Sequence, residues 1–440
     1  MKTSEHLPER LSYGKILRFW LPLAATWLMM AVEGPFLAAV IARMAAEKLN
    51  LAAYGVTYAI GLVAESPVIM LMSVSTALCR DRRSYQRLRN FSFWLCLAVT
   101  FLLALFLVPP LFTACIENLL GLPPAISELI HRALLCLLLW APAIGFRRFY
   151  QGVLIAAHKT RRVAAATVLR VVAMSASALL LYRLGQLPGA QVGAISLSCG
   201  VCAEALFTRF LARQAIQDVL QKKLTRAESM SYRQIGAYYL PLALTPFIGL
   251  SVQPLVTFFL GKCRAPLESL AVMPVIYGLT FIFRALGLSY QEIAIALIGE
   301  NRANYPAVRN FAFALGIITS ACLSLIAFTP LAEFWFRDLS GLSQSLTDFA
   351  VLPLQLMAVF PALTVLICFQ RALLINARVT RPVSFATGVE AAGIFSLLTL
   401  AMLYFPVSGA VAASAAYVGG RLLAVGILQR PLAELQLKAH

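Results

Sequence analysis

Apolar runs long enough to cross a lipid bilayer alternate along the chain with short polar turns. A spanning helix needs about 20 mostly apolar residues. On that measure the pattern predicts twelve helices, at approximately 15–44, 50–79, 91–116, 126–157, 163–183, 190–213, 234–261, 266–299, 310–335, 346–376, 383–404 and 408–430. Several exceed one bilayer crossing and are expected to tilt, kink or extend past the lipid. The longest hydrophilic stretch, Arg213 to Arg233, lies at the middle of the sequence.

That pattern repeats at an offset of 219–220 residues. "FWLPLAATWLMMAVEGP" (19–35) aligns with "YYLPLALTPFIGLSVQP" (238–254), "RNFSF" (89–93) with "RNFAF" (309–313), and "GLPPAIS" (121–127) with "GLSQSLT" (341–347). Six helices per half is an even number, so both halves insert in the same orientation. The expected fold is an all-α polytopic membrane protein of two parallel six-helix repeats, a plan suited to alternating access. The expected domains are an N-terminal tail (1–14), an N-lobe (15–213), a linker (214–233), a C-lobe (234–430) and a C-terminal tail (431–440).

Composition agrees with the pattern. Of 440 residues 60% are hydrophobic and 13% charged, and the mean hydropathy is +0.80. A soluble domain has about 25% charged residues. No room remains for a soluble catalytic or nucleotide-hydrolysing domain, and no phosphate-binding glycine loop occurs. The net charge of +18 would suggest nucleic acid in a soluble protein. Here 23 basic residues fall on one set of helix ends, and seven on the other: Arg43, Lys48, Arg132, Arg183, Lys262, Arg264 and Arg337. The positive-inside rule then places both termini in the cytoplasm of a cell (inner) membrane, with no nucleic-acid partner. The N-terminal tail shows no cleavable signal pattern, so the first helix is expected to be retained. Nine cysteines, Cys199 and Cys202 among them, read as packing residues, and no metal, cofactor or catalytic constellation is expected.

Candidate chemistry lies within the helices. Ionisable groups at membrane depth normally face the bundle interior or a water-filled cavity. The acids are Glu33, Glu65, Glu204, Glu292 and Glu390; the bases are Arg170, Arg284, Arg371 and Arg421, with Arg147 and Arg148 nearer the cytoplasmic end of helix four. The repeat sets Glu65 against Arg284, Arg170 against Glu390, and Glu204 against Arg421 within one residue. Two arrangements follow: pairs such as Glu65–Arg284 bridging the halves as a gate, or pairs within one half, Arg170–Glu204 or Arg284–Glu390. Glu33, two residues before Pro35, and Glu292 are candidates for coupling to H+ or Na+. Pro22 with Pro35 in helix one, and Pro241 with Pro254 in helix seven, share one spacing and are expected to kink those helices as hinges. The excess of Arg, including Arg147 and Arg371, suggests an anionic substrate.

The kinked first helix of each half, "YQGVLIAAHKTRR" (150–162) ending helix four and "FQRALLINARVTR" (369–381) ending helix ten resemble the multidrug/oligosaccharidyl-lipid/polysaccharide (MOP) flippase superfamily, in its MATE-like form. Within it "LRFWLPLA" (17–24), "LAAYGVTYAI" (51–60), "RDRRS" (80–84), "SVQPLVTFFLGK" (251–262) and "VLPLQLMAVFPALTV" (351–365) are similar to the progressive ankylosis protein family. The resemblance implies two lobes around a V-shaped cavity and efflux of anions such as citrate, pyrophosphate or nucleotides, with an acid near Glu33 on the first helix. Glu65 and Arg284 depart from its pattern. The expected function is a monomeric secondary-active exporter of small organic or phosphorylated anions, not an enzyme. The alternatives are a MATE-type multidrug or cation antiporter and a lipid-linked sugar flippase; a membrane receptor or scaffold would lack a polar central cavity.

Overall fold

The computed structural model describes residues 11–41, 43–119, 123–221, 230–260, 262–298, 303–340 and 342–437. Among them twelve helices are long and apolar enough to span a membrane: α1 (Tyr13–Ile41), α2 (Leu49–Leu78), α3 (Arg82–Phe106), α4 (Pro124–Ala156), α5 (Thr160–Leu184), α6 (Gly189–Leu211), α7 (Tyr232–Thr257), α8 (Glu268–Leu297), α9 (Tyr305–Ala327), α10 (Gln344–Asn376), α11 (Arg381–Tyr404) and α12 (Gly409–Glu434). The chain is a multi-pass membrane protein. Lys2, Arg10, Lys222, Lys223, Arg226, Arg302 and Lys438, all counted for orientation, lie outside the described residues, as do most of the N-terminal tail and most of the linker.

The largest boundary difference is at α3, which begins at Arg82 rather than near 91. Asp81 caps it: its carboxylate accepts from the Ser84 amide at 2.8 Å, and the Ser84 hydroxyl accepts from the Asp81 amide at 3.1 Å. This reciprocal cap starts the helix among the arginines, ahead of the apolar run. The linker also begins as a helix, Arg213–Gln221, which buries Ala215, Ile216 and Val219. Arg162 donates to the Leu211 carbonyl at 2.9 Å, and Lys159 lies 3.5 Å from Asp218.

Prolines account for the interruptions in the long helices. Pro142 and Pro361, which match in the repeat, cannot donate to the carbonyls of Leu138 and Met357. There α4 loosens into a turn over 137–139, and α10 into a single 3-10 turn at Met357–Val359. In α2, Pro67 frees the Val63 carbonyl, which accepts from the Ser66 hydroxyl at 2.7 Å. α1 and α7 run as continuous helices through Pro22, Pro35, Pro241 and Pro254; the side chains of Pro35 and Pro254 lie outside the described residues.

The repeat recurs in the backbone. Ala46 and Ala265 take positive φ (52° and 49°) before α2 and α8, and His158 and Arg378 (58° and 60°) do so after α4 and α10. π-helical turns at Ala114–Leu119 and Phe334–Leu339 occupy equivalent places. The start of α6 is held by Asn50, whose side-chain Oδ1 accepts from the Ala190 amide at 3.0 Å; the start of α12 is held by Ser269, whose hydroxyl accepts from the Ala410 amide at 3.1 Å.

The chain forms two compact units. One, here the N-terminal unit, comprises Ala25–Leu255 and Arg378–Gly388; the other, the C-terminal unit, comprises residues up to Ala24, Val256–Ala377 and Val389 onward. The division falls inside α1, α7 and α11. In the C-terminal unit the indole N–H of Trp20 donates to Ser289 at 2.9 Å, and its ring meets Phe311 edge-on, with centroids 5.9 Å apart. In the N-terminal unit the Tyr239 hydroxyl donates to the Pro67 carbonyl at 2.5 Å, and its ring meets Phe91 edge-on at 5.2 Å. Trp20 matches Tyr239 in the repeat, and Phe91 matches Phe311, so each unit carries the same aromatic clasp.

Candidate functional site

Each unit holds a charge network at a close approach of two helices, α5 with α6 in one and α11 with α12 in the other. A Cβ on Gly200 would lie 3.0 Å from the Arg170 carbonyl; one on Gly420 would lie 2.8 Å from the Glu390 carbonyl. These two glycines, equivalent in the repeat, let α6 approach α5 and α12 approach α11. Glu204, one turn beyond Gly200, therefore comes within reach of Arg170, and Arg421, next to Gly420, within reach of Glu390.

In the N-terminal unit the network runs Arg147–Glu204–Arg170–Glu33, from α4, α6, α5 and α1. Glu204 has no solvent exposure. Its carboxylate accepts from Arg147 at 2.5 Å, Thr167 at 2.8 Å and Gln151 at 3.1 Å. Arg170 approaches Glu204 at 3.7 Å and donates to Glu33 at 2.5 Å. The second oxygen of Glu33 is buried without a partner. Arg148 lies over the Trp27 ring at 5.8 Å and touches the Met72 sulfur. Glu65 is partly exposed and forms no ion pair among the described residues. Beside them Tyr54, Tyr58 and Trp140 form an aromatic row with successive centroids 6.2 Å apart.

The C-terminal unit reverses the sign. Glu390 is the acid between two arginines, accepting from Arg421 at 2.6 Å with Arg371 at 3.8 Å. Arg421 also donates to the Thr364 hydroxyl at 3.3 Å. Arg284 and Arg421 both lie against the Phe360 ring, 4.6 and 4.8 Å from its centroid, and Arg284 also lies 5.2 Å from that of Tyr277. Arg284 is 8% exposed, and its Nε and Nη1 are buried without a hydrogen-bond partner. Glu292, on the same helix as Arg284, is buried. The described spans of the N-terminal unit thus hold three acids and three arginines in the cluster, and those of the C-terminal unit two acids and three arginines.

The structure brings together Arg170 and Glu204, as one of the two arrangements expected, but only at 3.7 Å. The close partners are Arg147–Glu204 and Arg170–Glu33, which the repeat comparison did not suggest. Arg284 is not paired with Glu390; Arg421 holds that acid. The equivalence of Glu204 with Arg421 needs correcting. The matched starts of α6 and α12, Ala190 and Ala410, fix the register. Arg421 therefore matches Val201, and Glu204 stands three residues, nearly one turn, further along. Arg147, placed by sequence near the cytoplasmic end of helix four, is 2% exposed and locked to Glu204. Gln151, Thr167, Tyr277 and Phe360 were missed. Gln151 alone left a signal, because it lies four residues after Arg147 on the same helical face.

No family model and no curated protein sequence matches the chain. Solved structures do, over nearly its full length. A MATE crystallised in complex with MaD3S has 17% sequence identity, spans 97% of this chain and 96% of its own, and superposes with a TM-score of 0.74. An outward-facing multidrug resistance MATE transporter of the MOP superfamily has 17% identity, covers 96% and 95%, and gives 0.75. A MOP superfamily transporter from Pyrococcus furiosus, described by a binding pocket of reversed polarity that suggests a different function, has 16% identity, covers 96% and 95%, and gives 0.76. At these identities the likeness is one of fold, and the fold is that of the MATE transporters.

Proposed function

We propose that the protein is a secondary-active transporter working by alternating access, and that it exports a small organic or phosphorylated anion using an H+ or Na+ gradient. The observation that carries the anionic reading is the arginine surplus of the C-terminal unit. Three guanidinium groups, those of Arg284 and Arg421 buried, stand against two acids, and arginine at membrane depth is retained where it meets charge. The Pyrococcus furiosus neighbour, whose reversed pocket polarity suggests a different function for that transporter, supports a change of pocket charge as a variation this fold accommodates. The likeness of "LRFWLPLA" (17–24) and "SVQPLVTFFLGK" (251–262) to the progressive ankylosis family supports citrate, pyrophosphate or nucleotide as the first solutes to try. In this reading Glu33 carries the coupling ion, Glu292 is a second candidate, and Pro22, Pro35, Pro241 and Pro254 let α1 and α7 bend. Glu65 and Arg284 serve as gate or substrate contacts. The transporter acts as a monomer in the inner membrane, with both termini cytoplasmic.

Uptake into proteoliposomes of labelled citrate, pyrophosphate and ATP, against a cationic dye, tests the proposal. Anion transport that Glu33→Gln uncouples from the gradient and Arg284→Ala abolishes is the expected result. A Glu65→Arg/Arg284→Glu swap that works while each single variant fails would support the gate; normal transport by all three refutes it. A multidrug or cation antiporter is the second reading. It is favoured by Glu65, partly exposed and without an ion pair among the described residues, beside the row of Tyr54, Tyr58 and Trp140. Aromatic faces and a free carboxylate suit organic cations. Dye transport lost in Glu65→Gln, with no anion flux, would establish it instead.

A further inference from the structure

We infer that the C-terminal unit holds an oxyanion subsite at Arg284, with the Phe360 ring as its floor and Glu390 as a built-in competitor that keeps the neighbouring arginines from the ligand. The inference rests on the anion-transport reading and narrows it to one side chain, one chemistry and one unit. The other arginines of that unit are accounted for. Arg421 commits its Nε to Glu390 and its Nη1 to Thr364, and Arg371 faces the second Glu390 oxygen. Arg284 has no such partner among the described residues. Its guanidinium lies against Phe360 and Tyr277, while Nε and Nη1 are buried without an acceptor.

A buried polar group with no partner is unfavourable, and a buried charge much more so. Two aromatic faces offset part of that through cation–π attraction, but they leave the N–H groups unsatisfied. The group that satisfies them is an acceptor anion. Guanidinium donors match carboxylate and phosphoryl oxygens in geometry and charge. The charge count sets the valence. Three arginines less two acids leave one positive charge, so the subsite suits a group presenting a single negative charge, such as one carboxylate or a singly charged phosphoryl. Phe360 lies against both Arg284 and Arg421, so one ring positions the free guanidinium beside the paired one. Removing Glu390 raises the surplus to two and frees Arg421, which should turn the preference toward dianions.

Equilibrium binding of acetate, succinate, citrate and inorganic phosphate tests this. It is followed by calorimetry and by thermal shift on the full-length protein, in phosphatidylcholine nanodiscs with and without phosphatidylglycerol. Arg284→Gln should weaken the preferred anion by about tenfold or more, as expected for loss of a charge-assisted hydrogen bond, with Arg284→Lys intermediate. Glu390→Gln should raise the affinity for succinate relative to acetate. In the absence of anion, Arg284→Gln should melt no lower than the wild type, because it removes an unpartnered charge, whereas Arg421→Gln should melt lower. Competition by phosphatidylglycerol would identify a lipid headgroup as the source of the anion; indifference to it would identify a free solute. Anion binding or transport that persists unchanged in Arg284→Gln overturns the subsite and leaves the transport reading standing. A large loss of melting temperature in anion-free Arg284→Gln also overturns it, since Arg284 would then be a structural residue. Wild-type protein that binds none of the four anions overturns both.

Discussion

Glu204 is the residue on which the buried network of the N-terminal unit should depend most. It has no exposure and satisfies three donors, Arg147, Thr167 and Gln151, with Arg170 at 3.7 Å. In Glu204→Leu the apolar volume is kept while every one of those acceptor bonds is lost. Thr167 retains the Val163 carbonyl at 3.4 Å as an alternative acceptor, so its loss is small. Gln151 loses an acceptor for its amide. Arg147 is 2% exposed, and its charge cannot turn to water without opening the packing of α4 on α6. Removing one partner of a buried ion pair costs about 3–5 kcal/mol, and that is the expected loss. The double variant Arg147→Leu/Glu204→Leu deletes both charges, so most of the loss should return, giving a coupling energy of about 2 kcal/mol or more. Equilibrium unfolding in mixed micelles, followed by circular dichroism and tryptophan fluorescence, measures both quantities. An unfolding midpoint for Glu204→Leu equal to that of the wild type, or strictly additive losses in the double variant, would refute the reasoning.

Three further outcomes are expected. Gly420→Leu forces a side chain against Ile394 and the Glu390 carbonyl; it should destabilise the protein by about 1–3 kcal/mol in the same unfolding assay, and Gly426→Leu, where a Cβ would meet open space, should not. Burial lowers the pKa of His158 from 6.5, so below about pH 6.5 the unfolded chain takes up a proton that the folded one resists. Stability should therefore fall as pH drops through that region. His158→Asn, which tolerates the positive φ of 58° there, should flatten the dependence of melting temperature on pH between neutral and mildly acidic buffer. Membrane-impermeant labelling of single cysteines placed at Lys159 and at Arg337, on an otherwise cysteine-free background, should succeed from opposite faces of inverted and right-side-out vesicles; labelling from one face only would break the assigned topology.

Most of the fold was legible because lipid imposes a simple rule on sequence. Backbone polar groups must be satisfied within the segment, so a spanning segment is a helix, and its length follows the apolar run. Twelve runs became twelve spanning-length helices among the described residues. The rule is weakest where a helix continues beyond the lipid, since hydropathy no longer marks it. There α3 begins well ahead of its apolar run, on the local reciprocal bond of Asp81 and Ser84, and the basic linker forms the helix Arg213–Gln221. The duplication was equally legible, and the structure adds matched positive-φ residues and π-helical turns at positions where the two halves share little sequence, such as His158 and Arg378. What the duplication could not indicate is that the compact units divide inside α1, α7 and α11, because the contacts of Trp20 with Phe311 and of Tyr239 with Phe91 join helices distant in sequence.

The site was legible in composition and not in pairing, for a reason specific to helices packed side by side. An ionisable residue in a span announces itself against its apolar neighbours, so Glu33, Glu204, Arg147, Arg170, Glu390 and Arg421 could all be named. Partners, however, are chosen by rotation and depth, and one turn decides between them. Glu204 stands nearly a turn beyond the position equivalent to Arg421, and that displacement carries its carboxylate to Arg147 on α4 rather than to Arg170 alone. Arg170 is then free to close on Glu33, far away in the chain. In the other half Arg421 takes Glu390 directly, and Arg284 is left with two aromatic rings. A displacement of nearly one turn between otherwise matched helices thus changes which charges pair in the two units, while the residues each unit carries set the balance: three acids with three arginines in one, two with three in the other. That difference gives a duplicated protein two chemically distinct halves, a condition for binding an ion and a solute at separate places.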